Sequence, residues 1–210
     1  MAMEIVCLDL EGVLTPEIWI ALSDETGIAE LRLTTRDIAD YDELMRHRLR
    51  LLDAHGLGLP DLQAVIATLT PLPGARQFVT WLDRNFQLVI LSDTFYEFAR
   101  PLMEQLGFPV LFCHNLVTEA DGRIADYRLR LPNQKRAAVE AFHSLGFRVF
   151  AAGDSYNDTA MLLAADAGFL FRPPPAVVDQ FPQFPVGSTY EQLAEYFQAA
   201  SSRSLEDYPD

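Results

Sequence analysis

The chain has 210 residues, of which 50% are hydrophobic and 22% are charged, and this is enough apolar material to bury a core without disulfides. Thirty Asp and Glu residues against sixteen Lys and Arg leave a formal net charge of −14 at pH 7. A field of that sign repels nucleic acid and anionic membrane surfaces, so neither is an expected partner.

No basic segment followed by an apolar signal stretch opens the chain, and no apolar run reaches the roughly 18 residues of a membrane span. The expected location is therefore the cytoplasm; the sequence predicts no oligomeric state.

Short apolar runs alternate with helical patterns along most of the chain. The strand candidates are 4–10, 86–92, 109–113, 147–153 and 167–171. Their nearly continuous apolar character is typical of strands covered on both faces of a parallel sheet. The helix candidates are 75–84, 95–106, 134–145, 158–165 and 190–199. This alternation predicts a doubly wound, Rossmann-like α/β core, with a small hairpin that turns at Asp121-Gly122.

The segment 16–70 has no strand pattern and instead shows helical stretches near 16–26, 36–54 and 61–69. We expect it to form a small helical cap domain inserted after the first strand, with 1–15 and 71–210 as the α/β core. Joints near Thr15 and within 70–75 would let the cap close over the core. The acidic, polar tail 201–210 is expected to fray.

Several acids are predicted to meet at one edge of the sheet. Asp9 ends the first strand, and Asp154 and Asp158 follow the fourth, at the carboxyl edge where open α/β sheets bind ligands. Each has a structural alternative, since Asp9 could serve a turn and Asp158 could complement a helix dipole. If they converge with Glu11, two unit charges about 4 Å apart repel by about 4 kcal/mol at an effective dielectric near 20. Such a cluster requires a cation, and hard oxygen ligands favour Mg²⁺.

Other polar residues are predicted at the same edge. Ser92 ends the second strand, and because Thr94 and Glu97 supply a capping-box pattern for the next helix, Ser92 remains available for a ligand oxygen. Lys135 lies at the start of a helix, where the helix dipole disfavours a cation. Taken alone, it would be interpreted as a solvated surface lysine. Asn157 could equally cap the next helix.

Arg48 lies on the apolar face of a predicted cap helix. The other residues on that face are Ile38, Tyr41, Met45, Leu49 and Leu52. A guanidinium there needs a partner, unless its stem packs on the core and its head reaches solvent. Glu17 follows Pro16 in the first turn of its helix, where a carboxylate is favourable in any case.

The combined pattern resembles the haloacid dehalogenase superfamily. It consists of DxE after the first strand, Ser after the second, Lys ahead of the fourth and GDxxxD after it, and the resemblance covers essentially the whole chain. The segments DLEGVLTPE, LSDTFYEF and AAGDSYND are most similar to the phosphoserine phosphatase branch. Within that branch they are most similar to the bifunctional phosphoserine phosphatase and phosphoserine:homoserine phosphotransferase subgroup.

The resemblance implies a Mg²⁺-dependent reaction in which Asp9 is the nucleophile that forms an aspartyl phosphate and Glu11 is the general acid and base. The implied metal ligands are Asp9, Asp154 and the backbone carbonyl of Glu11. The implied phosphate-binding residues are Ser92, Asp93 and Lys135, with Asp158 in a supporting role. The implied substrate-binding residues are Glu17, Arg48 and Asn157.

The chain departs from the superfamily pattern at two places. Glu11 stands where most relatives carry Asp, and its extra methylene moves the carboxylate by about an ångström. That displacement could favour transfer of the phosphoryl group to homoserine over hydrolysis. Asp93-Thr94 replaces a pair of glycines, which puts their backbone contacts to phosphate in doubt. The alternatives are a phosphatase of another small phosphometabolite and an inactive fold that binds an amino acid or a metal.

Overall fold

The computed structural model describes residues 3–34, 37–38 and 40–209. Across these residues one sheet of seven strands runs in the order β4-β3-β2-β1-β5-β6-β7, and only β3 and β4 pair antiparallel. The strands are β1 (Met3–Leu8), β2 (Gln87–Phe95), β3 (Val110–Thr118), β4 (Ile124–Arg128), β5 (Phe147–Gly153), β6 (Ala167–Phe171) and β7 (Val186–Gly187). The helices are α1 (Ile18–Thr26), α2 (Tyr41–Ala54), α3 (Leu59–Ile66), α4 (Ala75–Asn85), α5 (Tyr96–Leu106), α6 (Gln134–Ser144), α7 (Thr159–Ala164), α8 (Pro175–Gln180) and α9 (Tyr190–Ala200).

The central strand β1 is buried on both faces. Val6 and Leu8 pack into the apolar cluster beneath α4 and α9, whereas Ile5 and Cys7 pack into the cluster beneath α6 and α7. Alternate side chains of a strand point to opposite faces, so a strand that is covered on both sides must be apolar throughout. The predicted doubly wound α/β fold is confirmed.

Both cysteines are buried and unpaired, and no helix in the described ranges is long and apolar enough to cross a bilayer.

Helices α1 to α3, with a short 3₁₀ turn at Ala29–Arg32, lie between β1 and α4. The helix expected over 36–54 begins only at Tyr41, where the side chain of Asp40 caps it by accepting a hydrogen bond from the Glu43 amide. Ile38 therefore precedes the helix and does not share its apolar face, and positions 36 and 39 of that prediction lie outside the described residues.

The helical segment packs onto the core through one apolar cluster. Met45 and Leu22 of the segment share this cluster with Phe98 of α5 and Leu116 of β3. At the hairpin between β3 and β4, the Leu59 amide donates a hydrogen bond to the Gly122 carbonyl, at 2.8 Å. These contacts hold α2 beside the carboxyl edge of the sheet. The boundaries of the cap domain, and its closure about the two joints, stay predictions.

Two local expectations were wrong. Thr94 and Glu97 do not form a capping box, because Thr94 belongs to β2 and the Glu97 carboxylate instead accepts a hydrogen bond from the Leu116 amide, at 3.0 Å. The tail is docked against α4, where Trp81 Nε1 donates to the Glu206 carbonyl, at 2.9 Å, and Tyr208 packs edge-on against the Trp81 ring.

Candidate active site

Four of the predicted polar residues come together at the carboxyl edge of the sheet. Asp9 directly follows β1, and its amide donates to the carbonyl of Ala152 in β5, at 3.0 Å. Asp154 directly follows β5, and Ser92 lies near the end of β2. Since β1 lies between β2 and β5 in the sheet, the three strand ends place these side chains around one cavity, which Lys135 of α6 also lines.

The Lys135 ammonium is buried between two carboxylates. Its Nζ donates hydrogen bonds to Asp9 Oδ1, at 2.8 Å, and to Asp158 Oδ1, at 2.7 Å. Burial alone would lower the pKa of Lys135, but Asp158, Asp9 and Asp93 outweigh that effect and raise the pKa well above its usual value. The lysine is therefore a fixed positive charge beside Asp9, not the solvated surface residue that its sequence position also allowed.

Asp158 is fully buried, and both of its carboxylate oxygens accept hydrogen bonds. Besides the ammonium of Lys135 it accepts, on Oδ2, the backbone amides of Asp154, at 3.0 Å, and Ser155, at 3.1 Å. Its role is thus local and structural as well as electrostatic, because it closes the turn that follows β5 and holds the lysine. Gly153 permits this turn, since a Cβ at that position would lie 2.4 Å from Asp158 Cβ.

The Asp154 carboxylate lies against Gly12, in the loop that follows Asp9. Gly12 has φ +78°, and a Cβ there would meet the Asp154 carboxylate at 2.6 Å, so this position requires glycine. Burial, with the charges of Asp158 and Glu17, raises the pKa of Asp154 to about 7. The pKa of Asp9 is also raised, by burial and by Asp158, although Lys135 opposes the shift.

The acids form a group that fits a divalent cation. Carboxylate oxygens of Asp9, Asp154 and Asp158 all lie within 4.8 Å of one another. Because Asp158 already binds Lys135 and two amides, Asp9 and Asp154 are the side chains with oxygens to offer. Two carboxylates suit Mg²⁺, because this hard cation takes one or two protein carboxylates as ligands and keeps several waters.

The Asp93 carboxylate joins four neighbouring groups. It accepts hydrogen bonds from Asn157 Nδ2, at 3.1 Å, and Gln134 Nε2, at 3.3 Å, and it lies 3.6 Å from both His114 Nε2 and Lys135 Nζ. Burial opposes its charge, but Lys135 and these hydrogen bonds hold the pKa of Asp93 well below its usual range. Its carboxylate therefore serves as a brace for Asn157 and Gln134.

Glu11 turns toward the helical segment. Its Oε1 accepts the amide of Ile18, the first residue of α1, at 2.7 Å, and so caps that helix in place of Glu17, whose side chain makes no cap hydrogen bond. Burial and the charge of Glu17 raise the pKa of Glu11 to about 8, although the Ile18 amide opposes this shift. The carboxyl group can therefore carry a proton near neutral pH.

The guanidinium of Arg48 is buried against the same cavity. Its Nη2 donates to the Leu33 carbonyl, at 2.7 Å, its carbon lies 4.4 Å from the centre of the Trp19 ring, and Nε has no partner among the described residues. Burial lowers the pKa of Arg48 to about 10, so it stays charged at neutral pH. An unsatisfied, buried N–H of a cation requires an acceptor, and a carboxylate meets that requirement.

The cavity holds about 260 Å³. Among the described residues that line it are five acids, Asp9, Glu11, Glu17, Asp93 and Asp154, and two bases, Arg48 and Lys135. An anionic ligand would meet this excess of negative charge unless a cation compensates it.

Some residues that shape the site were not predicted. His114 and Gln134 position Asp93, Trp19 stacks on Arg48, and the Tyr41 hydroxyl donates to the Asp93 carbonyl, at 3.2 Å. Tyr41 was expected only as an apolar face residue. The available sequence signal for His114 was a titratable residue directly after the apolar run 109–113.

The chain matches the family model described as haloacid dehalogenase-like hydrolase over residues 3–166. It is 61% identical over 204 residues to a phosphoserine phosphatase of Pseudomonas syringae pv. tomato, covering 97% of this chain and 86% of that protein. It is 62% identical over 203 residues to "Phosphoserine phosphatase ThrH" of Pseudomonas aeruginosa, covering 97% and 99%. A solved phospho-aspartyl intermediate analogue of phosphoserine phosphatase shares the fold, with a TM-score of 0.76 at 19% identity, covering 93% of this chain and 99% of the other.

Replacing Asp158 with Asn should destabilise the protein even without a metal. The change removes a negative charge beside buried Lys135 and leaves one acceptor oxygen where Lys135 and two backbone amides now use two, so we expect the free energy of unfolding in EDTA to fall by about 1–3 kcal/mol. Asp154→Asn is the matched control, because it removes a repelling charge without freeing the lysine and should leave stability unchanged or higher. Urea denaturation of both variants tests this, and equal losses would contradict the assigned role of Asp158.

Proposed function

This chain belongs to the haloacid dehalogenase-like hydrolase family, and we propose that it is a phosphoserine phosphatase that acts through an aspartyl phosphate on Asp9. One observation carries the proposal. A single cavity of about 260 Å³ is lined both by the Asp9–Lys135 pair and by Arg48, whose buried Nε has no hydrogen-bond partner within the described part of the chain. It therefore offers a phosphoryl-binding group and a carboxylate-binding group to one small molecule. The two relatives at 61% and 62% identity, both named as phosphoserine phosphatases, support this substrate.

At the phosphoryl end, Asp9 supplies the nucleophile. Its Oδ1 accepts hydrogen bonds from the Leu10 amide and from Lys135, which leaves Oδ2 to attack phosphorus. The Oδ2–P bond forms as the bond from phosphorus to the serine oxygen breaks. Lys135 and the Ser92 hydroxyl bind the phosphoryl oxygens and disperse their charge in the transition state.

Glu11 moves the protons. With its pKa raised to about 8 by burial and by Glu17, it begins the reaction protonated and donates to the departing serine oxygen. The resulting carboxylate then takes a proton from the water that attacks the aspartyl phosphate, and phosphate is released from Asp9.

The opposite end of the cavity would recognise the amino acid. Arg48 would bind the substrate carboxylate through Nε and a terminal nitrogen, a bidentate geometry that a guanidinium offers and an ammonium does not. Glu17, which lines the cavity, would bind the substrate ammonium, and Asn157, held by Asp93, would lie beside the phosphoryl group.

The residues present fit Mg²⁺. Asp9, Asp154 and the predicted carbonyl of Glu11 would hold the ion. When bound, it would neutralise charge on the phosphoryl oxygens and on the surrounding acids. The cytoplasmic location and the absence of nucleic acid and membrane partners stay predictions.

Transfer of the phosphoryl group to homoserine is part of the proposal. Glu11 reaches the first turn of α1, where it caps Ile18, so its carboxyl group lies toward the helical segment that would bind an amino acid. An acceptor hydroxyl held there by Arg48 and Glu17 could be deprotonated in place of water. The name ThrH of the 62% identical relative is consistent with this reaction.

Asp9→Asn should abolish turnover of phosphoserine. We expect kcat to fall on the order of 10⁴-fold or more, because the amide oxygen is a poor nucleophile. Phosphate release measures the loss, and an acid-quenched reaction with radiolabelled phosphoserine should leave a hydroxylamine-sensitive label on the wild type alone. The control is Asp83→Asn, an exposed carboxylate on α4, which should keep both signals. A label that persists in Asp9→Asn would refute the assignment.

Glu11→Asp should change the product ratio. A side chain one methylene shorter would retreat from α1 toward Asp9, so we expect the ratio of phosphohomoserine to phosphate to fall about tenfold or more when homoserine is supplied. Glu11→Gln should lose on the order of 10²-fold or more in both products, because it can neither donate nor accept the proton. If the wild type forms no phosphohomoserine at any homoserine concentration, the transfer reaction is excluded while hydrolysis stands.

Mg²⁺ should stabilise the protein more strongly above pH 7 than below. The raised pKa of Asp154, about 7, means that the metal-free folded state gains stability from its proton at low pH and loses it as pH rises through 7. A cation must displace that proton below pH 7 and need not do so above it. Thermal unfolding with and without MgCl₂ at pH 6 and pH 8.5 should show the larger rise in Tm at pH 8.5. This pH-dependent difference should vanish in Asp154→Asn and remain in Asp83→Asn.

A further inference from the structure

Arg48 is held by an aromatic surface as well as by hydrogen bonds. Its guanidinium carbon lies 4.4 Å above the centre of the Trp19 ring, and its side chain is buried. Nη2 donates to the Leu33 carbonyl, and Nη1 lies 3.8 Å from the sulfur of Met45. An arginine side chain has many rotamers, so a substrate that had to order it would bind more weakly. The Trp19 ring and the Leu33 carbonyl together restrict the rotamers of Arg48 before a substrate binds.

Trp19 is in turn fixed by the core of the protein. Its ring meets Phe98 of α5 edge-to-face, with centroids 5.6 Å apart, and Phe98 meets Phe95 in the same way, also at 5.6 Å. Phe95 is the last residue of β2, the strand that carries Ser92. Both phenylalanine rings are fully buried. A continuous aromatic column therefore connects the strand that would bind phosphate to the guanidinium that would bind carboxylate.

We propose that Trp19 is a positioning residue for Arg48, and that the Phe95–Phe98–Trp19 column sets the separation between the phosphate-binding and carboxylate-binding ends of the cavity. This inference rests on the proposed function and extends it. The column makes the enzyme selective for phosphomonoesters with a carboxylate at the distance of a small phosphorylated amino acid. Trp19 lines the cavity, but its indole ring is neither a nucleophile nor an acid or base at neutral pH, so we assign it no part in phosphoryl transfer.

Phosphoserine and phosphoethanolamine provide the test, since they differ by the carboxylate alone. In Trp19→Leu we expect KM for phosphoserine to rise at least about tenfold, the scale of a desolvated cation–π contact, with kcat changed less than about twofold. The kinetic constants for phosphoethanolamine should not change, which also reports that the variant is folded. Trp19→Phe keeps an aromatic face and should restore KM for phosphoserine to within a few-fold of the wild type.

A double-mutant cycle separates positioning from packing. If Trp19 acts through Arg48, then adding Trp19→Leu to Arg48→Ala should cause no further rise in KM for phosphoserine. An additional tenfold rise, or equal losses on phosphoserine and phosphoethanolamine, would overturn the inference and assign Trp19 to the core alone.

A binding measurement distinguishes failure of the inference from failure of the proposed function. The chain has two tryptophans, so Trp81→Phe leaves Trp19 as the one fluorescent indole, and Trp81 packs against the tail. Titration with L-serine should change Trp19 emission saturably, and ethanolamine should not. A wild type that does not hydrolyse phosphoserine would refute the proposed function, and with it the substrate that the inference assumes. In a wild type that does hydrolyse phosphoserine, unchanged Trp19 emission at L-serine concentrations that inhibit the reaction would refute the positioning role alone.

Discussion

A buried lysine surrounded by carboxylates is the interaction on which the rest of the site depends. The side chain of Lys135 is 4% exposed, and an ammonium removed from water to that degree persists only with compensating charge. Asp9, directly after β1, and Asp158, in the turn that follows β5, supply it, while the lysine comes from α6. The same hydrogen bonds that keep the lysine charged also fix one oxygen of Asp9. The orientation of the proposed nucleophile therefore follows from the need to compensate the charge of a buried lysine.

The proposed carboxylate-binding end of the cavity is held in a different manner. No strand end carries Arg48, and its position follows from apolar packing between α2, α1 and α5 and from the hydrogen bond between the hairpin and α3. The Tyr41 hydroxyl adds a polar link from α2 to the Asp93 carbonyl at the carboxyl edge of the sheet. Polar pairing thus organises the surroundings of Asp9, and aromatic and aliphatic packing organises the surroundings of Arg48.

Predictions that rest on local sequence patterns succeeded, whereas two that were decided by contacts between distant segments failed. Continuous apolar runs predicted the central strands, and the rule that parallel strands end at one edge predicted that Asp9, Asp154 and Ser92 would meet. The capping box at Thr94 failed because Glu97 found a buried amide on β3, and a distant donor outweighed the local one. The docked tail was missed for the same reason, since buried Glu4 accepts hydrogen bonds from Ser201 and Ser202.

The sequence by itself determined the doubly wound core, the helical insertion and the set of polar residues at strand ends, because side-chain periodicity and the geometry of parallel strands act over a few residues. The tertiary structure alone decided what each of those residues contacts. Asp93 became a brace for Asn157, Glu11 became a helix cap, and Trp19 came to lie beneath Arg48. These outcomes depend on which groups from remote segments compete for the same buried hydrogen bonds and ring faces, and that competition exists only once the chain has folded.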